Sequence, residues 1–385
     1  MPLSDRDIRS VLDSYPKAPV VAAVGSHSAL DIADGAATEG FSTLVLAQAG
    51  REATYSQYFR TRRAPNGTPA RGCVDDVWVF PTFAEIGGAA AQERLRARGA
   101  LLVPNRALSS YVPIATIEND LRVPIVGSRA MLRIEERTER ENYYTLLERA
   151  GIATPRRISE PSRIDRLAMV KLAHATRRLE RGFFTAASPE EYRTKSERLL
   201  AAGTIAAVDL AGARIEEYVL GPVFNFNFFF SPLVPRAEGL ELLGVDERRE
   251  SDLDGLVRLP AAEQLEMGDV ARAPRYTVVG HGTLTVRESI LEEVFRLGEQ
   301  FVDAARARYP PGILGPFCLQ TCIDRDGRPV VFDVAARIGG GTNVHLGLGH
   351  PYGNALWRTP MSTGRRVALE IRRALADDRL AEIVT

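Results

Sequence analysis

Two strand-like segments late in the chain, residues 317–323 and 329–333, flank a turn that contains Asp326 and Gly327, a strong hairpin signal. If those two residues form the loop, Gln320 lies directly opposite Asp333, whereas a bulged three-residue turn shifts the register by one. An amide oxygen and a carboxylate side by side suit a hard cation such as Mg²⁺ or Mn²⁺, which takes one or two protein oxygens and completes its shell with phosphate and water. A polar pair on a solvated sheet face fits the same residues. What tilts the balance is the segment that follows, Arg337-Ile-Gly339-Gly340-Gly341-Thr342-Asn343. Three glycines let a backbone pass close to a ligand, and an arginine beside them can stabilise charge on a transferring phosphoryl group.

A second anion signal lies near the start, where Gly25-Ser26-His27-Ser28 joins a β-branched run to an apolar-periodic helix. Backbone N–H groups at a helix amino terminus favour phosphate, and His27 adds a donor. The same tetrapeptide also fits Ser26 as an ordinary N-cap followed by a surface histidine. Between these two regions Lys171 stands out, because Lys17, Lys171 and Lys195 are the only lysines and Lys171 sits inside an apolar run. Glu216-Glu217-Tyr218-Val219 closes another strand-like run, and two exposed glutamates at a strand end fit it equally.

Elements that must position these residues follow from the pattern. Runs beginning at Val20, Ser42, Val77, Leu101 and Val123 alternate with helical segments, as in parallel α/β units. Residues 128–150 read as one charged helix with Gly151 as its cap and Pro155 beyond. Further strands at 168–173 and 183–188, a helix opened by Ser188-Pro189, and strands at 215–221 and 223–230 indicate an α+β region with antiparallel sheet. Phe224, Phe226 and Phe228 alternate with Asn225 and Asn227, which predicts a half-buried strand. At 385 residues, with equal numbers of basic and acidic side chains, the chain has room for two or three domains and lacks the basic field that holds nucleic acid. Its amino terminus does not read as a signal peptide, no window suits a membrane span, and three cysteines do not suggest a disulfide framework, so a cytoplasmic protein is expected.

A carboxylate followed by an arginine and glycines resembles the ATP-grasp pattern, with Ala335 where the pattern has asparagine and Asp333 where it usually has glutamate. The likeness narrows to the formate-dependent family that makes 5-formamidoimidazole-4-carboxamide ribotide. Segments that carry it include GSHSALDI, IEEYV, RRESDLDGLVRLPA, GPFCLQ and GGGTN. The resemblance implies an ATP-grasp fold, α/β and α+β, with an N-terminal Rossmann-like parallel-sheet domain at 1–127, a nucleotide-binding subdomain at 128–222 and a catalytic subdomain at 223–385. It implies that Lys171, Glu216, Glu217, Tyr218 and Val219 bind ATP, and that Arg337, Asp333 and Lys171 are catalytic; Arg177 and Arg181, where the chain departs from the family, are expected to join the ATP site because guanidinium groups bind phosphate bidentately, although a solvated surface turn fits them equally. Gln320 and Asp333 are expected to hold Mg²⁺ or Mn²⁺, and Gly25, Ser26, His27, Arg248, Glu250, Ser251, Asp252, Thr342 and Asn343 to bind the ribotide. ATP would activate formate as formyl phosphate for attack by the ribotide amine; nucleic acid and membrane are not expected partners, and a homo-oligomer is.

The chain departs from the family at an arginine-rich segment, 172–182, in place of a glycine-rich loop, at Thr145 in place of a lysine, and at Arg106-Ala107 in place of a small pair. Those departures keep open an amide ligase acting on another carboxylate and amine, as in assembly of a nucleoside-like natural product. A nucleotide-binding or regulatory protein without turnover is a third possibility, against which Lys171, Asp333 and Arg337 speak.

Overall fold

A computed structural model describes residues 2–137, 139–172, 183–268 and 277–385. The first apolar runs become β1 (Val20–Val24) and β2 (Ser42–Gln48), followed by a small ribbon of β3 (Arg62–Arg63) and β4 (Pro69–Arg71), then β5 (Asp76–Phe80) and β6 (Ala100–Leu102). β5, β2, β1 and β6 form a parallel sheet in that order. Every residue of β1 is buried, as its unbroken apolar run requires in a sheet covered on both faces. The expected strand at Val123 is reduced to isolated bridges: Leu102 donates to the Pro124 carbonyl at 2.9 Å and Val126 to the Leu102 carbonyl at 2.9 Å. Pro124 has no N–H with which to extend the ladder.

The single helix expected over 128–150 is instead two. A 3₁₀ turn, Ala130–Glu135, gives way to a non-helical link and then to the helix Tyr143–Arg149. Asn142 makes the break, because its side chain accepts from the Tyr144 N–H at 3.0 Å while its amide donates to the carbonyls of Arg137 and Glu139. An asparagine that bonds the backbone on both sides caps a helix rather than continuing one. Gly151, at φ +67°, ends the second helix.

β7 (Arg157–Ile158), β8 (Ala168–Lys171), β9 (Phe183–Ala186) and β10 (Arg214–Glu217) form an antiparallel sheet in the order β7, β10, β8, β9. A larger antiparallel sheet contains β11 (Val223–Phe230), β12 (Leu240–Glu250), β13 (Val278–Thr283), β14 (Gly315–Ile323) and β15 (Pro329–Ala335), in the order β13, β12, β11, β14, β15. Phe228 and Phe301 stack on Phe317 from the face covered by the helix Leu291–Arg308. Burying each such ring is worth about 1.5–3 kcal/mol. The expectation of a half-buried β11 fails on its other face: Asn225 and Asn227 are only 4% and 1% exposed, because the chain's glycine loop and a buried aspartate cover them.

Gln320 does pair with Asp333, but by a different route from a two-residue turn. Next to the loop the partners run Ile323 with Pro329 to Thr321 with Val331, one step short of that register. A bulge between Thr321 and Gln320 then inserts Phe332 and restores the pairing.

The chain ends by returning to its beginning. The helix Thr363–Ala376 packs on the helix Ala29–Thr38, where side chains at Gly35 or Gly364 would overlap the facing backbone. Thr385 then exchanges backbone hydrogen bonds with Ile125 at 2.9 and 3.0 Å. No helix among the described residues is long and apolar enough to cross a membrane.

His345 and His350 meet edge-on, 4.9 Å between centroids, beneath Gly244 of β12. Burial, and then the neighbouring ring, push His345 down to about 3. A folded-state value below the ordinary 6.5 means that the unfolded chain takes up the proton first, so this contribution to stability is complete above pH 6.5 and is lost as pH falls toward 3. Denaturant unfolding of the native chain and His345→Gln should therefore show their stability difference shifting against the native chain by about 1.4 kcal/mol per pH unit below 6.5. A difference independent of pH would contradict the neutral buried ring.

Candidate functional site

One cluster joins the two antiparallel sheets. Lys171, at the end of β8, is buried; its ammonium pairs with Glu216 and donates to the Tyr144 hydroxyl at 2.8 Å and to the Phe332 carbonyl of β15 at 2.9 Å. Tyr144 in turn donates to Glu216 at 2.9 Å, and Arg214 reaches the same carboxylate at 3.1 Å while lying 3.6 Å above the tyrosine ring. Burial lowers the Lys171 pKa, against the pull of Glu216. Glu216 thus faces inward, while Glu217 faces outward to Arg156 and Arg166. Tyr218 continues the strand by donating its N–H to the Leu167 carbonyl, and the Val219 carbonyl faces the Cys322 thiol.

Asp333 lies beyond this cluster, 3.9 Å from the Arg137 guanidinium. Burial works to raise its carboxyl, yet Arg137, Lys171, Arg248 and Arg106 together hold it below the ordinary carboxylate value. Opposite it, the Gln320 oxygen accepts from Arg248. Glu135 organises the next ring of charge: it accepts from the Ala336 N–H at 2.9 Å and pairs with Arg337 at 3.3 Å and Arg106 at 3.6 Å. Five cations therefore converge on Asp333 and Glu135. Such a concentration of positive charge, with Lys171 and Arg337 buried and Arg106 open to solvent, suits a polyanion, above all the phosphates of a nucleotide.

The glycine loop forms the far wall. His27, Val278, Val279, Gly280, His281, Gly340, Gly341, Asn343 and Val344 enclose a cavity of about 340 Å³. Asn105 fixes the His27 turn by donating to the Val24 and His27 carbonyls at 2.7 and 3.0 Å. Ser28, at φ +65°, occupies the helix cap position without capping it, and its hydroxyl instead donates to the Gly339 carbonyl at 2.5 Å. Ser26, read above as a possible N-cap, instead contacts the His27 ring at 3.3 Å and leaves the cap position to Ser28, while His27 is exposed, as the reading of a surface histidine has it. Gly25 leaves room for Tyr55, whose ring a Cβ there would approach to 2.8 Å. Asn343 accepts from the Asp31 N–H at 3.1 Å, and Thr342 is buried beside it.

His27 and Asn343 thus share one cavity, with Thr342 just behind. Arg248 turns toward Gln320 instead. Glu250, Ser251 and Asp252 lie at the junction of β12 and the helix Ser251–Leu256, where Glu250 pairs with cavity-lining Val278. Arg177 and Arg181 fall outside the described residues. With 128–150 read as one charged helix, the sequence does not mark Arg137 and Glu135 as members of one charge cluster with Arg106. Nor did it mark His281 or the buried Asp246, whose carboxylate accepts from Asn225 at 2.8 Å and Asn227 at 2.7 Å. The alternation of asparagine with phenylalanine was the available signal.

Comparison with known proteins places these features in context. Residues 191–385 match a family model described as a domain of unknown function (DUF1297), and residues 21–158 one described as a protein of unknown function (DUF1246). The chain is 37% identical over 380 residues, 98% of each chain, to the 5-formaminoimidazole-4-carboxamide-1-(beta)-D-ribofuranosyl 5'-monophosphate synthetase of Methanobrevibacter smithii. It is 37% identical over 385 residues, all of both chains, to the protein of that name from Methanocaldococcus jannaschii. Among solved structures, an IMP biosynthesis protein PurP from Thermococcus kodakaraensis superposes with a TM-score of 0.69 at 29% identity, covering 95% of this chain and all of that one. The ADP complex of an N5-carboxyaminoimidazole ribonucleotide synthetase shares the fold, with a TM-score of 0.59 at 10% identity over 90% of this chain and 79% of that one.

Proposed function

Because the chain belongs to the family of 5-formaminoimidazole-4-carboxamide ribotide synthetases, ATP-dependent carbon–nitrogen ligases of ATP-grasp fold, we propose that it activates formate with ATP and formylates the amine of 5-aminoimidazole-4-carboxamide ribotide. The observation that carries this reading is a cation cluster around Lys171, Asp333 and Arg337 that leads, through the Gly339–Gly341 loop, to a cavity walled by that loop and the His27 turn. One end suits nucleotide phosphates, the other a phosphorylated amine. In this scheme a formate oxygen takes the γ-phosphoryl group, giving formyl phosphate and ADP. The ribotide amine then attacks the formyl carbon, phosphate leaves with the C–O bond pair, and the nitrogen gives up a proton. Lys171 and Arg337 hold the phosphoryl charge, and His27 meets the ribotide phosphate.

Gln320 and Asp333 offer two facing oxygens, and among the described residues no cluster of three or more His, Cys, Asp or Glu side chains adds to them. With Arg137 and Arg248 so near, that pair suits Mg²⁺ or Mn²⁺ arriving with the nucleotide phosphates better than a resident metal. Such an ion would neutralise charge shared between the β- and γ-phosphates.

Phosphate release should require ATP, formate and ribotide together, with formylated ribotide appearing in equal amount. Phosphate release that another carboxylate and amine support and this pair does not would overturn the assignment.

A further inference from the structure

Asp246 is 0% exposed and lies on β12, inside the large sheet. Among the described residues its carboxylate accepts side-chain hydrogen bonds from two amides, those of Asn225 and Asn227 on the neighbouring β11. Spending both Nδ2 groups on one carboxylate fixes which way each asparagine faces. Their Oδ1 atoms are left buried, with no hydrogen-bond partner among the described residues. Buried unsatisfied oxygens of this kind cost free energy, so their retention asks for a reason beyond stability.

The glycine loop supplies one. A Cβ on Gly339 would overlap Asn227 Oδ1, and a Cβ on Gly341 would overlap Asp246 Oδ2 and come 2.7 Å from the His281 ring. A Cβ on Gly340, between them, would lie 3.9 Å from His27 across the cavity. The loop therefore rests on the carboxylate–amide group with no side chain between. Through the Ser28 bond to the Gly339 carbonyl, the position of the loop also sets that of the His27 turn. His281 is brought to the same place by strand pairing, since it lies opposite Arg248 on β13, two residues along β12 from Asp246.

We propose that Asp246, with Asn225 and Asn227, is the positioning residue for the amine-substrate pocket, setting the height of the Gly339–Gly341 loop and hence the gap between His27 and His281. This rests on the ribotide reading of that pocket. Asp246 is sealed from the cavity and acts through the loop, whereas Lys171, Glu216 and Phe332 of the nucleotide cluster lie on β8, β10 and β15.

The test is Asp246→Asn, with steady-state kinetics, thermal unfolding and amide hydrogen exchange of residues 339–343. An added amide cannot accept from both neighbouring amides as the carboxylate does, so the loop should lift. The KM for 5-aminoimidazole-4-carboxamide ribotide should rise about 10–100-fold, the worth of a lost charge-assisted hydrogen bond, while the KM for ATP stays within about twofold. Exchange in the loop should quicken. If Asp246→Asn does not fold, Asn227→Ala withdraws only the support under Gly339 and should give the same split. A fall in melting temperature with ribotide KM and loop exchange unchanged would overturn the proposal, as would an equal rise in both KM values. Should the native chain neither bind nor convert the ribotide, the ribotide reading falls, and loop exchange alone decides: quickened, it upholds Asp246 as the loop's support, and unchanged, it removes it.

Discussion

An Asp333→Asn protein is expected to turn over about 100–1,000-fold more slowly than the native chain, the usual cost of removing one group that stabilises transition-state charge, while remaining folded. Asparagine keeps the shape of the side chain and an oxygen to accept the Val334 N–H, which Asp333 now does at 3.0 Å. What it loses is the negative charge among Arg137, Lys171, Arg248 and Arg106. Those cations then face the nucleotide with less opposing charge, Glu216 and Glu135 remaining, so ATP binding should hold or tighten even as kcat falls. The divergence is diagnostic: an interaction made only in the transition state lowers kcat, whereas a simple loss of phosphate binding raises KM. Steady-state kinetics over a Mn²⁺ titration check it, and near-native kcat, or anomalous Mn²⁺ density with none between Gln320 and Asp333, would remove the pair from the mechanism.

The second large effect concerns Lys171, where structure and chemistry have to be separated. Lys171→Met deletes the partner of a buried carboxylate, and breaking a buried ion pair on one side costs about 3–5 kcal/mol. The loss should fall toward the lower end here, because Arg214 still faces Glu216 at 3.1 Å. ATP-dependent turnover should drop below one part in a hundred. Adding Glu216→Leu removes the stranded charge, so the double variant should recover most of the stability but none of the activity. Denaturant unfolding and phosphate release on the native chain, the two single variants and the double variant read both quantities. Activity that returned with stability would show Lys171 to be a structural ion-pair partner only.

Strands β1, β2, β5, β6, β8 to β11, β14 and β15 were legible from local composition, because an unbroken apolar run and an alternating one demand different burial, whereas the run at Val123 forms only bridges and β12 and β13 were not foreseen. The pairing of Gln320 with Asp333 was legible too, although the chain reaches it through a longer turn and a compensating bulge at Phe332 rather than a two-residue loop. Helix continuity across 128–150 was misread, since charge periodicity does not reveal that Asn142 bonds backbone on both sides. Residue types alone singled out Lys171, Asp333, His27 and the three glycines, because a rare lysine, a facing carboxylate and a Gly-rich turn each advertise their chemistry locally.

What only the tertiary structure decided is which groups share a neighbourhood. Glu135 and Arg337 are 202 residues apart, and Ser28 and Gly339 are 311 apart. No pattern along the chain encodes such a meeting. The same holds for Asn225 and Asn227, polar residues whose spacing says solvent until a glycine loop from the far end of the chain is laid over them and closes the face. Periodicity records which side of a strand a residue faces; whether that side meets water or another part of the chain is settled by packing between distant segments.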